Sequence, residues 1–304
     1  MKITVTGATG FIGSRLTKSL LEGGHTVHVL ARRRVAGVPD SVGFSEWKST
    51  NEEPPPESLA GADAVIHLAG EPVAQRWTPE VKKRIRTSRV EGTRQLVNAL
   101  STQSRRPAVL VSGSAIGFYG SRGDEVLTED SDAGDDFLAG VTIEWEHAAE
   151  LAEALGIRVV LLRTGLVLGK EGGALAKMLP PFRFGLGGRL GSGKQWMSWI
   201  HIDDLIRLVL FCVENAAVRG PVNGTAPQPV TNKQFTRELA AVLHRPAILP
   251  VPQFVLRRAL GEMANAALGS QRVIPAAAQA AGFQFQYPQL RAALERLLTE
   301  GPAR

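Results

Sequence analysis

Gly7, Gly10 and Gly13 recur every three residues just after Ile3-Thr4-Val5-Thr6, which reads as a short buried strand. Glycines so spaced suit a diphosphate: one permits a tight turn, one lets the backbone approach the anion, and one lets a helix pack closely on a strand. The N–H groups and positive dipole end of the following helix then face the phosphates. Arg32, first of the run Arg32-Arg33-Arg34, comes one strand later, with no acid before Asp40. An acid there would bind a ribose 2′-hydroxyl, whereas arginine accommodates a 2′-phosphate, so the pattern points to NADP (NADPH) over NAD. Glu71 follows a strand's carboxyl end, the edge where open α/β sheets bind ligands. It either works in that crevice or pairs with Arg76 or Arg89. The sole cysteine, Cys212, sits in the apolar run 208–213 and reads as a buried thiol. The six histidines form no ligand-spaced cluster, so no metal is expected.

The elements that must hold these residues follow the same alternation throughout. Strand-like residues 3–6, a helix from Ser14 to Glu22 and a second strand from His25 to Ala31 make a β-turn-α-β unit, which requires parallel pairing and a right-handed crossover. Strands at 64–68, 108–112 and 158–162 alternate with helices at about 79–100 and 139–155. Near-continuous apolar strands between amphipathic helices indicate a doubly wound α/β, Rossmann-type parallel sheet covered on both faces. After Gly169 the texture changes to a glycine-dense loop at 185–193, a strand at 196–202, and a helix to Glu214 capped by Asp203-Asp204. Gly220 to Gly224 rejoins the sheet, Thr231 to Leu243 is a helix, and the rest is largely helical. The expected division is 1–170 as the NADP-binding domain, with sheet returns near 195–225, and 171–304 as a smaller, mostly helical substrate and lid lobe.

Composition excludes several classes. The chain has 304 residues, 44% apolar and 21% charged, without the ~18 consecutive apolar residues that a membrane span needs. Strand residues begin at Lys2, leaving no room for an export signal, and one cysteine argues against a disulfide scaffold. A cytoplasmic protein with no membrane partner is expected. The net charge of +6 is scattered, and no nucleic-acid motif accompanies it. Together with Arg183, Arg189, Lys194, Trp196 and Trp199, the loop suits an anionic, partly aromatic small molecule, or else is simply packed over the core. The oligomeric state is not legible.

Thr6-Gly7-Ala8-Thr9-Gly10-Phe11-Ile12-Gly13, Val65 to Gly70, Ser112-Gly113-Ser114, Phe118-Tyr119-Gly120, Leu162 to Gly169 and Trp199 to Asp204 together resemble the extended short-chain dehydrogenase/reductases. Gly70-Glu71-Pro72, Arg76-Trp77, Ser88-Arg89, Pro181-Phe182-Arg183, Gln271 to Pro275 and Ala281-Gly282-Phe283 narrow the likeness to the atypical epimerase subgroup with nucleoside-diphosphate-sugar epimerase labels. The resemblance covers essentially the whole chain. It implies that Gly7, Thr9, Gly10, Phe11 and Ile12 hold the pyrophosphate, Gly13 completing the turn, and that Arg32 meets the 2′-phosphate. Leu68 and Ala69 would line the adenosine side, Arg89 would stand where relatives have an asparagine, and Val167 would flank the nicotinamide.

The same resemblance exposes a departure. Such enzymes exchange a proton through a tyrosine assisted by a lysine four residues later. Here the two tyrosines, Tyr119 and Tyr287, are followed at that spacing by Gly123 and Arg291. An ungapped count puts Phe137 and Val141 at the two positions. Ser114 lies where relatives bind the reacting oxygen; it is either that group or a strand-end hydroxyl satisfying backbone. Tyr119 looks structural, and Glu146 and His147 look like solvated helix residues. Two functions stay open: an NADP-dependent oxidoreductase or epimerase-like enzyme using another proton donor, and a catalytically silent NADP(H) sensor or scaffold.

Overall fold

The computed structural model describes residues 1–34, 42–48, 50 and 52–299. Its main sheet has seven parallel strands: β1 Lys2–Thr6, β2 Thr26–Ala31, β3 Gly43–Glu46, β4 Ala64–His67, β5 Val109–Ala115, β6 Arg158–Thr164 and β7 Gly220–Gly224. Their spatial order is β3-β2-β1-β4-β5-β6-β7. The order runs one way from β1 to β3 and the other way from β4 to β7, so the reversal lies between β1 and β4. Ligands of open α/β sheets bind at such a switch point, outside the strands' carboxyl ends.

Alternating strand residues explain why both faces are covered. Ile66, Val111 and Val160 point with Ile3 and Val5 into one core, closed by helices α1 (Phe11–Glu22) and α5 (Ile202–Glu214) through Leu16, Leu20, Leu205 and Leu208. Val65, Leu110 and Leu161 point into the other, closed by α2 (Pro79–Ser101) and α3 (Phe137–Glu150) through Leu96, Leu100 and Ala149. Each fully buried leucine contributes roughly 1.5–3 kcal/mol of transfer free energy. The predicted buried thiol is there: Cys212 is fully enclosed in α5, and burial pushes it up to about 12. The edge strand β3 had no distinct sequence signal, because its residues Gly-Phe-Ser-Glu carry no run of strand-forming types.

The C-terminal region is mostly helical. Helix α4 (Gly173–Arg183), α6 (Asn232–Leu243) and α10 (Leu290–Leu298) share a third core around the fully buried Trp199 and Phe235. Between them lie α7 (Gln253–Leu260), α8 (Met263–Leu268) and α9 (Ala276–Ala280). Leu166–Leu168 pairs in parallel with Trp199–His201 outside the main sheet, while Gly220–Gly224 joins that sheet as expected. The expected cap of α5 is corrected: His201, not Asp203-Asp204, occupies the N-cap, and its ring Nδ1 accepts from the Asp203 N–H. Asp204 is buried instead, its carboxylate accepting from the Gln286 and Tyr287 N–H groups. Among the described residues no helix is long and apolar enough to cross a membrane.

Candidate cofactor and active site

The glycine turn is fixed by the lack of room for side chains. Gly7 has φ +69°, and a Cβ there would lie 2.6 Å from the Leu68 carbonyl carbon. A Cβ on Gly13 would lie 2.2 Å from the Gly7 oxygen, so only glycine lets α1 pack this closely on β1. Gly10 is the N-cap of α1, with no side chain capping it and no acid in the first turn. The first-turn N–H groups at Phe11, Ile12 and Gly13 have no partner within the helix and carry its positive dipole end. A cradle closed to side chains and lined by free donors fits a pyrophosphate. Leu68 and Ala69 form the facing wall, and Thr9 is exposed at the turn.

A buried hydrogen-bond chain holds that wall. The Thr6 hydroxyl accepts from the Leu68 and Ala69 N–H groups, which occupies both its lone pairs. Its proton therefore goes to His67 Nδ1, 2.7 Å away, and His67 Nε2–H donates to the Thr93 hydroxyl at 3.1 Å. Burial first, and the Arg89 charge second, lower His67 to about 4, so it stays neutral in this role. Thr6 and His67 were not among the expected site residues, although both interrupt apolar strands at the carboxyl end.

Arg32 follows β2 directly and is exposed at the same edge as the glycine turn, since Thr6 and Leu30 are register partners. The neighbouring acid Glu46 pairs with Lys48 at 3.5 Å. Arg89 is enclosed between Gly70 and the Trp145 ring, whose centroid is 5.1 Å from the guanidinium carbon. Its Nη1 donates to the carbonyls of Glu71 and Ile85. Burial lowers it to about 10, with Glu71 opposing, so it remains a cation. The Glu71 carboxylate meets Arg84 at 3.5 Å and accepts from Gln75, not from Arg76 or Arg89 as the sequence suggested. Val167 is buried in the short strand beyond β6.

The Tyr119 hydroxyl is fully engaged within the protein. Tyr119 is fully buried, donates to Asn223 at 2.7 Å and accepts from Arg163 at 3.1 Å; burial raises it above its ordinary value. The Tyr287 ring stacks on His201 at 4.0 Å. Phe137 makes an edge contact with Trp77, with the Lys82 ammonium 5.0 Å over its ring, and Val141 packs with Val81 and Ile85. That face of α3 seals apolar contacts with α2.

The turn of α3 beyond that face corrects a second expectation. Glu146 is only 4% exposed, not solvated; His147 is exposed as expected. Ser114 Oγ donates to Glu146 Oε1 at 2.5 Å, and Arg163 holds the same carboxylate in two bonds of 2.8 Å. Burial works against the Arg163 charge, but the bonds to Glu146 and its field more than offset this and hold Arg163 above its ordinary value. The missed signal was periodicity: Thr142, Trp145, Glu146 and Ala149 make one buried helical stripe, with an acid inside it.

Fold and turn define a nicotinamide-dinucleotide-binding Rossmann protein. The NAD dependent epimerase/dehydratase family matches residues 3–223, and the chain belongs to that family. A domain of unknown function matches residues 251–297. The chain is 43% identical to the chloroplastic epimerase family protein SDR39U1 homolog of Arabidopsis thaliana, over 98% of this chain and 87% of that protein. It is 41% identical to epimerase family protein YfhF of Bacillus subtilis, over 99% of each. The crystal structure of human epimerase family protein SDR39U1 with NADPH superposes with a TM-score of 0.89 at 35% identity, covering 98% and 99% of the two chains. A UDP-glucuronic acid 4-epimerase of Bacillus cereus, in complex with NAD, shares the fold at 19% identity and a TM-score of 0.78, covering 97% and 96%.

Proposed function

We propose that the protein is an NADP(H)-dependent oxidoreductase or epimerase-like enzyme of the cytoplasm, acting on a small anionic, nucleotide-sugar-like molecule without the tyrosine–lysine pair. The observation that carries this reading is the glycine cradle at the switch point, with exposed Arg32 directly after β2 and no acid between it and Asp40 in the sequence. NADPH in the human relative supports the choice of cofactor. In this reading Gly7, Thr9, Gly10, Phe11, Ile12 and Gly13 hold the pyrophosphate, Arg32 the 2′-phosphate, and Leu68, Ala69, Arg89 and Val167 the adenosine-to-nicotinamide path. Residues 1–170, with the sheet returns near 195–225, form the cofactor domain, and the rest of 171–304 is the lobe that closes on the substrate. Arg189 and Lys194 in the glycine-rich loop supply charge for an anionic substrate.

A bound nicotinamide supplies the hydride acceptor or donor. The chain's own part would be to orient that ring, to exclude water, and to move the proton at a substrate oxygen. Of the two candidates for that proton, Ser114 is better placed than Glu71, whose carboxylate is engaged by Arg84 and Gln75. The deciding experiment titrates the protein with NADPH and NADH in parallel. NADPH binding at least ~10-fold tighter, about 1.4 kcal/mol, supports the reading, and failure to bind either sinks it.

One observation favours a silent sensor as the second reading. The Phe11 ring, beside the phosphate turn, fills the space over Gly169, Gly172 and Gly173, where a Cβ would approach it to 2.3, 2.5 and 3.1 Å. Occupancy of the turn is thereby linked to the start of α4 and the loop after it. NADPH-dependent change in protease sensitivity of that loop, with no turnover of any nucleotide sugar or simple carbonyl, favours the sensor.

A further inference from the structure

We infer that Ser114 is the proton-exchanging group of this site and that Glu146, held by Arg163, is the acceptor behind it, in place of the absent tyrosine and lysine. The inference rests on the oxidoreductase reading and deepens it. Thr6, His67 and Ser112 are register partners across β1, β4 and β5, and Ser114 lies two residues beyond that row. It therefore stands at the crest of the sheet, level with the residues that follow Thr6 and His67 and build the cofactor turn. Its hydrogen is committed to Glu146, so the oxygen's lone pairs are what it can offer a substrate hydroxyl.

Glu146 is fixed for that task rather than mobile. Arg163 grips both its oxygens, and the guanidinium itself lies 3.5 Å over the Phe118 ring. Replacing a buried ion pair with apolar side chains is often neutral or stabilising, so stability alone gives little reason for a serine–glutamate–arginine chain here. A role in proton transfer does. During oxidation the substrate's C–H hydrogen leaves with both bonding electrons for the nicotinamide. Its O–H proton passes to Ser114 Oγ as the serine's own proton moves to Glu146 Oε1, leaving a carbonyl and a neutral carboxyl beside Arg163. Reduction runs the same transfers backwards. Ser114 is the catalytic residue, and Glu146 and Arg163 position it.

The test has two arms, both with the whole protein. In the first, the proton between Ser114 and Glu146 is sought far downfield by NMR. It is expected in the wild type, absent in Ser114→Ala, and shifted by NADP but not by 2′,5′-ADP, which lacks the nicotinamide. In the second, oxidation of bound NADPH by an α-diketone such as 9,10-phenanthrenequinone is followed from pH 5 to 9. Ser114→Ala should keep NADPH affinity within about threefold and slow the rate by ~100-fold or more, the usual range for acid–base groups. Ser114→Thr should recover most of it, and Glu146→Gln, which cannot hand a proton back to the serine, should remove the fall in rate towards high pH. A resonance that ignores NADP, or a Ser114→Ala rate equal to wild type, overturns the relay even if Glu146→Gln does not fold. Failure of the wild type to bind NADPH overturns instead the functional reading on which the relay stands.

Discussion

On the proposed reading a single residue, Arg32, sets the choice of cofactor, and buried histidines set the response to acid. Arg32→Glu should cost NADPH at least ~10-fold in affinity and bring NADH level with it or ahead, read as Kd by fluorescence titration; an unchanged preference rejects the 2′-phosphate assignment. His67 makes a prediction of its own. Its folded value, about 4, lies below the ordinary 6.5, so the unfolded chain takes up a proton first as pH falls. The contribution is fully present above pH 6.5 and is lost as pH drops towards 4, about 3 kcal/mol in all. His28 and His201 are also lowered, by burial first, and push in the same direction. Urea unfolding at pH 7 and pH 5 should show the loss, and His67→Gln should flatten its share. The sequence singled out Arg32 and Ser114 because type and position relative to a strand end were enough to propose them. It concealed Glu146 and Arg163, whose meaning comes from facing one another across α3 and β6.

At the scale of elements, the glycine turn is the joint between β1, α1 and β4. Gly13→Ala puts a methyl 2.2 Å from a backbone oxygen that cannot yield, so α1 must move off the strand. The expected result is loss of NADPH binding with a Tm drop of several degrees, and a variant that binds normally contradicts the packing argument. Helix α2 starts at the Thr78 N-cap, whose hydroxyl accepts from the Val81 N–H, with Pro79 in its first position. Thr78→Ala should cost about 1 kcal/mol in urea unfolding without changing cofactor affinity. Helix starts and strand runs such as these were legible, because a cap residue and an apolar period act locally. The α5 cap was misassigned because three residues within one turn, His201, Asp203 and Asp204, can all accept from backbone, and packing against Tyr287 selected between them.

At the scale of the molecule, the C-terminal region is tied to the first two-thirds of the chain at several points. Lys177 donates to the Ala74 carbonyl, Lys82 pairs with Glu262, and Asn223 links Tyr119 to the Ile274 carbonyl. The glycine-rich loop is seated by Gly188, where a Cβ would fall 1.6 Å from the Leu249 oxygen, and by the bridge from Leu190 to Val251. Gly188→Ala should free that loop, seen as faster proteolytic cleavage within 185–193, while NADPH affinity changes less than threefold. Equal cleavage rates would mean the loop is held by other contacts. The sequence by itself determined the parallel sheet, the glycine turn and the basic residue beside it, because each follows from residue type and spacing along one short stretch of chain. Only the tertiary structure decided that Tyr119 is spent on Asn223, that Glu71 belongs to Arg84, and that Ser114 is backed by a buried carboxylate. Those pairings join residues 13 to 104 positions apart, and burial, which sets their strength, is a property of the packed molecule rather than of any segment.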